Sequence, residues 1–251
     1  NYSFTSIRCF IDCPRTFFYR YCKGERYGNN STSRGTAIHA LVEEKLIERP
    51  VKVSKDIAED IQVNRALYTT LATELVNLNV LRKEKKPTME YPIKLHVHDS
   101  DDGVPVYFNG KVDATYVVQG LLCLVDIKTK RARDRYMLTP AKLKQDMQLL
   151  GYGHLLSAML GMSDHEEILL SHAYAILEEA TAIEVMARVT VADCREHWHR
   201  VMVTTMEDIR AVVGKWKHVS EVLPNYGHCG AFGGCAYLFD CGRNEYKATC
   251  P

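Results

Sequence analysis

The sequence predicts an α/β fold, a mixed central sheet flanked by helices, with a helical and cysteine-rich accessory layer joining the two chain ends. Three observations predict it. Strand-like runs over 89–98, 106–118 and 121–129 are framed by two stretches of helical periodicity. Two more strand-like runs, 168–177 and 183–191, follow the second of those stretches, so strands and helices interleave as a sheet with covered faces requires. Cys13 near one end, and Cys229, Cys235 and Cys241 near the other, bracket these elements.

Each element has a local cause. Ser3 or Thr5 caps a short opening helix that runs through Cys9. Asp12-Cys13-Pro14 then sets a cap before a proline at the first helical position and opens a helix from Arg15 to Tyr21. The polar, Gly/Asn/Ser-rich residues 22–34 read as a loop. Over 35–48, Ile38, Leu41, Val42 and Leu46 recur at helical spacing, and an amphipathic helix is expected over 55–81. Asp99-Ser100-Asp101-Asp102-Gly103 turns the first strand into the second, and Gln119-Gly120 turns the second into the third as a two-residue hairpin loop. A long helix over 140–160 leads to the last two strands, and a helix over 193–218 precedes the Gly- and Cys-rich tail. Neither repeats nor low-complexity stretches occur.

Composition narrows the class. At 251 residues the chain suffices for one large domain or two small ones, and 46% hydrophobic with 25% charged residues is the make-up of a soluble globule. The longest apolar runs fall well short of a membrane span, no signal-peptide pattern opens the chain, and the missing initiator Met suggests an excised segment. Net charge is +1, from 32 Lys+Arg against 31 Asp+Glu, so a nucleic-acid partner must be argued locally. Lys128, Lys130, Arg131, Arg133, Arg135, Lys142 and Lys144 stand in sequence against Asp134 alone, a pattern that serves a phosphate-tracking rim or a solvated loop equally well. Nine cysteines cannot all pair, and without a secretory signal they indicate a reducing, cytoplasmic compartment.

The hairpin carries the chemistry. With Val118 facing Leu121 across Gln119-Gly120, counting outward sets Asp113 opposite Asp126, and alternation puts Lys128 on their face. Val112, Ala114, Tyr116, Val118, Leu121, Cys123, Val125 and Ile127 form the other, apolar face. Two cross-strand carboxylates about 5 Å apart repel by roughly 3 kcal/mol at an effective dielectric of about 20, which calls for a cation between them. Two carboxylates and a lysine are the equipment for metal-dependent phosphodiester cleavage.

In chain order, His39 lies mid-helix, Asp113 follows Gly110 by three, Asp126-Ile127-Lys128 ends the hairpin, and Gln148 and Tyr152 stand four apart on the long helix. With these motifs and Cys13-Pro14, the sequence resembles the PD-(D/E)XK nuclease superfamily in its RecB-like exonuclease branch, which includes CRISPR-associated and phage nucleases. The resemblance implies a restriction-endonuclease-like core, about 33–191, within one nuclease domain over 1–251, with 1–32 and 192–251 as accessory helices and cysteine cluster. It implies one Mg²⁺ or Mn²⁺ held by His39, Asp113, Asp126 and the main-chain carbonyl of Ile127, with Lys128 catalytic and Gln148 and Tyr152 positioning the strand end. Glu90, at the start of the first strand, matches less closely. The implied activity is that of a metal-dependent deoxyribonuclease, an exonuclease on single-stranded DNA or free ends, in recombination, repair or phage DNA processing beside a helicase or recombination partner. A structure-specific endonuclease of the same fold and a non-catalytic nucleic-acid-binding module are the alternatives. The resemblance further implies a [4Fe-4S] cluster on Cys13, Cys229, Cys235 and Cys241, although their C-x5-C-x5-C spacing departs from the tighter spacing common in that branch. Zinc or free thiols are the alternatives there, and Cys9, one turn before Cys13, is a substitute ligand. Cys22, Cys123, Cys194 and Cys250 read as structural, and His197-Trp198-His199 as an ordinary helix face.

Overall fold

The structure, a computed structural model, describes residues 1–25, 30–133, 137–229, 235, 237 and 241. Arg135, Asp134 and Cys250 lie outside the described residues. The chain divides into two compact units, one of Asn1–Gly28, His96–Phe108 and His199–Pro251, the other of Asn29–Leu95 and Asn109–Trp198.

Five strands, β1 (Thr88–Asp99), β2 (Pro105–Val118), β3 (Leu121–Lys130), β4 (Glu167–Ile176) and β5 (Thr181–Thr190), form one mixed sheet in the order β1-β2-β3-β4-β5. The hairpin register is the expected one: β2 and β3 pair antiparallel from Val118↔Leu121 to Ala114↔Val125. The turn that sets it needs positive φ at both central residues, and Gln119 (φ 51°) and Gly120 (φ 79°) supply it, the glycine without steric cost. β3 and β4 run parallel, which requires a crossover. The crossover holds two helices, α6 (Pro140–Leu143) and α7 (Met147–Met159), where sequence periodicity suggested one. Asp146 makes the break: its carboxylate caps the second helix by accepting from the Leu149 N–H, and this puts Gln148 in the first turn of α7. β4 and β5 close the sheet as an antiparallel pair.

Helices α3 (Asn30–Ile47), α4 (Lys55–Val63) and α5 (Arg65–Asn77) belong to the same unit. Ile38, Val42, Tyr68, Leu71 and Leu75 pack with Ala114, Tyr116, Cys123, Val125, Ile127, Ala173 and Ala175, so the apolar face of the hairpin is core except at Val118, which is exposed beside the turn. The helix expected over 55–81 is broken at Asn64, whose side-chain amide donates back to Asp60. The face bearing Asp126 is less polar than the sequence suggested. Leu122 and Leu124 on it are buried, and α7 packs against β3 and β4, so only its end is left for chemistry.

The other unit gathers both chain ends. It holds α1 (Phe4–Asp12), α2 (Pro14–Phe17) with a π-helical turn over Phe18–Cys22, and α9 (Thr204–Val213). Ser3 and Ser6 form a reciprocal capping box on α1, and the Tyr2 hydroxyl donates to the Met206 carbonyl at 3.1 Å. The helix expected over 193–218 is three pieces, α8 (Val191–His197), a π-helical turn over Trp198–Val203, and α9.

Within the sheet-bearing unit, Gly153 of α7 is fixed by α8: a Cβ there would meet Cys194 Sγ at 2.7 Å. Burial pushes the Cys194 thiol up to about 12, so it packs as a neutral sulfur. Gly153→Ala is therefore expected to destabilise the protein by about 1–3 kcal/mol through overpacking, although alanine is the better helix former. Chemical denaturation of Gly153→Ala, Cys194→Ala and the double variant should show the double variant regaining most of that loss.

Candidate metal centre

Three elements bring donors to one end of the sheet. In α3, Ile38 is fully buried in the core and His39 follows it. The His39 Nε2–H donates to the Ile127 carbonyl at 2.8 Å, which fixes the tautomer and leaves Nδ1 as a donor atom. Nδ1 lies 3.8 Å from Asp113 Oδ2 and 4.0 Å from Glu90 Oε1. Among the described residues, His39, Glu90 and Asp113 are the one group of three or more His, Cys, Asp or Glu donors within 4.8 Å of one another.

Glu90 belongs to this group of donors although it matches the motif less closely. It sits inside β1 with φ at 53°, in the left-handed region, a conformation that costs a non-glycine residue about 1–2 kcal/mol. Strain of this kind within a strand re-aims a side chain, and here the carboxylate meets His39. Lys111 pairs with the other Glu90 oxygen.

Asp113 leaves the ladder. Extending the register would pair Ile127 with Val112, but the Ile127 N–H donates instead to Asp113 Oδ2 at 2.7 Å. Burial, and then the neighbouring Asp126 charge, push the Asp113 carboxyl up to about 6. For His39, burial works against the charged ring, but Glu90, Asp113 and the Ile127 carbonyl outweigh it and the pKa rises. For Glu90, burial raises the pKa, but His39 and Lys111 bring it below the ordinary value.

Asp126, 4% exposed, forms the adjoining cluster. Gln148 Nε2 donates to its Oδ1 at 3.2 Å, and Lys128 Nζ lies 2.7 Å from its Oδ2. Burial works against the Lys128 charge, but Asp126 more than compensates and raises its pKa. Asp126 thus sets a buried carboxylate beside the His/Glu/Asp group, and an oxygen-rich donor set of this kind fits a divalent cation.

The helix pair does something the sequence did not show. Gln148 holds a carboxylate, and Tyr152 holds a strand: its hydroxyl accepts from the Lys111 N–H at 2.8 Å and donates to the Lys111 carbonyl at 2.7 Å. A Cβ on Gly110 would meet Tyr152 Cε1 at 2.8 Å, so the glycine of the Gly110-x-x-Asp113 motif makes room for this clamp. Sequence reasoning also missed His172, whose Nε2 lies 3.3 Å from Asp126 Oδ2. Only the parallel register Asp126↔His172 brings them together, and nothing local encodes it. The basic run after the hairpin is partly answered from the β4–β5 turn, where Glu178 pairs with Arg131 and Glu179 with Arg133, both at 2.8 Å.

The four cysteines fall in the other unit and share neighbours. Cys13 Sγ accepts from the Asn225 N–H at 3.4 Å, and Cys229 Sγ lies 3.8 Å from the Asn225 carbonyl. Cys241 Sγ lies 3.5 Å from Arg15 Nη1, and Cys235 Sγ 3.8 Å from Thr16 Oγ1. Burial pushes the nearby Cys9 thiol up to about 11.

The whole chain, residues 1–251, matches the sequence profile of the PD-(D/E)XK nuclease superfamily. The chain belongs to this superfamily. The chain is accordingly a metal-dependent nuclease, and the mixed five-stranded sheet with flanking helices is the PD-(D/E)XK fold. A solved structure described as the crystal structure of SSO0001 aligns over 68% of this chain and 87% of its own, at 17% identity and a TM-score of 0.31. No curated protein matches the chain.

Protonation of Asp113 bears on stability. Its folded pKa of about 6 exceeds the ordinary aspartate value of 3.8, so the stability it contributes is fully present below 3.8 and lost as pH rises through about 6. His39, also raised, acts in the same direction. The metal-free protein should therefore gain stability from these groups between about pH 7.5 and about pH 5, while the half-saturating Mn²⁺ concentration rises about tenfold per unit below about pH 6. Thermal unfolding with and without Mn²⁺ across that range checks both signs.

Proposed function

We propose that this nuclease is a Mg²⁺- or Mn²⁺-dependent DNA exonuclease of the RecB-like branch, working on single-stranded DNA or free ends as one nuclease domain. The observation that carries the reading is the convergence of His39, Glu90 and Asp113 beside the Asp126–Lys128 pair. His39 Nδ1, Glu90 and Asp113 would hold the cation with Asp126 next to them, Ile127 serving by its N–H and carbonyl to orient Asp113 and His39. When bound, the cation supplies Lewis acidity and charge neutralisation at a phosphate. Lys128 stays charged, orients the attacking water and offsets the negative charge that grows on the phosphate. Gln148 keeps Asp126 in place, and Tyr152 keeps the Asp113 strand in place. Lys142 and Lys144, exposed at α6, extend the site toward a phosphate backbone. The ordered motif that ends in Gln148 and Tyr152 supports the exonuclease branch, and with it a helicase or recombination partner, a role in repair, recombination or phage DNA processing, and a cytoplasmic setting. No helix among the described residues is long and apolar enough to cross a membrane.

Asp126→Ala and Asp113→Asn should each lower cleavage by about a thousandfold or more, and Lys128→Ala should lose cleavage while Mn²⁺ still binds by calorimetry. End-labelled linear DNA should be digested and circular single-stranded DNA left intact. Cleaved circles would make the protein an endonuclease, and undiminished cleavage by folded Asp126→Ala would remove the site assignment.

We extend the proposal to a [4Fe-4S] cluster on Cys13, Cys229, Cys235 and Cys241. Their sulfurs all lie against Arg15, Thr16 or Asn225, next to Cys13 or between the tail and the first helices. Anaerobically purified protein should contain iron and acid-labile sulfide in near-equal amounts, and Cys235→Ser should lose both and become protease-sensitive at the tail and first helices. Zinc in place of iron would keep a staple and exclude the cluster.

A further inference from the structure

His172 lies in β4 with its side chain 4% exposed, and it is surrounded by groups that fix its protonation site. The Leu138 N–H donates to the Tyr174 hydroxyl oxygen at 3.0 Å, so that oxygen is an acceptor. The same hydroxyl lies 2.9 Å from His172 Nδ1. Its one proton satisfies both groups only if it is donated to Nδ1, which leaves the ring hydrogen on Nε2. The far side of the ring agrees. Nε2 faces two carboxylate oxygens, Asp126 Oδ2 at 3.3 Å and Asp146 Oδ2 at 3.6 Å, against which a lone pair would be repelled and an N–H attracted. Asp146 cannot swing away without giving up the cap on α7, since its other oxygen accepts from the Leu149 N–H.

His172 Nε2 is buried without a closer partner and faces Asp126 Oδ2, which the Lys128 ammonium also approaches at 2.7 Å. A buried donor left unpaired would cost about 1–3 kcal/mol, and its place beside Asp126 Oδ2 accounts for it.

We infer that His172, fixed as the Nε2–H tautomer by Tyr174, is a positioning residue for Asp126. It presents an N–H dipole to Oδ2 while Gln148 engages Oδ1, so the carboxylate is held from both oxygens. The Lys128 ammonium shares Oδ2, and the His172 dipole adds to it without a second full charge that would compete with a cation. The inference rests on the reading of Asp126 as part of the metal centre.

In metal-free protein at neutral pH, the ¹⁵N signals of His172 should show Nδ1 unprotonated and Nε2 protonated; the opposite tautomer overturns the inference. His172→Leu should raise the half-saturating Mn²⁺ concentration, read by calorimetry, about 10- to 100-fold. His172→Gln, which keeps a donor near the Nε2 position, should recover most of that loss. A merely structural role would lower the unfolding temperature in both variants and leave the Mn²⁺ affinity of the folded protein unchanged. Should His172→Leu fail to fold, Tyr174→Phe keeps the ring, removes the proton that selects the tautomer, and should weaken Mn²⁺ binding about threefold or more. Asp126→Ala measured in parallel separates the two layers. Full Mn²⁺ affinity and cleavage in Asp126→Ala overturns the site reading and this inference with it. A crippled Asp126→Ala beside wild-type affinity in His172→Leu and Tyr174→Phe overturns this inference alone.

Discussion

Everything at the centre answers one repulsion, that between the carboxylates of Asp113 and Asp126. Burial strengthens it, and burial first, then the Asp126 charge, push the Asp113 carboxyl up to about 6. The protein does not relieve the repulsion by exposing either group. It distributes the compensation: Lys128 against Asp126, the Ile127 N–H and His39 against Asp113, and Lys111 against the adjoining Glu90. None of these is a full counter-charge placed among all the oxygens. The donor set is thus one that suits a small, highly charged cation.

The same hairpin must also build the core. Alternation lets it do both, because Val125 and Ile127 enter the core cluster while Asp126 and Lys128 face the other way. A one-residue slip would exchange the two sets. The two-residue turn at Gln119-Gly120 guards against that slip, so a backbone detail remote from the chemistry decides which side chains reach it.

Local patterns were legible in the sequence for this reason. The register followed from the turn and the alternation, and α3 followed from Ile38, Leu41, Val42 and Leu46, so Asp113, Asp126, Lys128 and His39 were placed correctly on their elements. What the sequence hid depends on non-local partners or on single residues that override periodicity. Asn64 and Asp146 break helices whose apolar spacing runs on past them. Glu90 matters because its backbone is strained, which no pattern announces. His172 sits in an apolar run, and only the parallel pairing with β3 gives it a charged neighbour. Glu178 and Glu179 temper a basic stretch some 45 residues earlier in the chain, again through sheet pairing.

The Tyr152 clamp bears on the conditions under which the site keeps its shape. The bond to the Lys111 carbonyl requires the phenol to retain its proton, since an ionised oxygen has nothing to give that carbonyl, and the two-sided clamp depends on it. Burial pushes that phenol up to about 12. Alkaline solution, where hydroxide is plentiful and phosphodiester hydrolysis is favoured, therefore leaves the clamp closed. The strand carrying Asp113 stays latched across the alkaline range in which the carboxylates are ionised, so the centre keeps its geometry there.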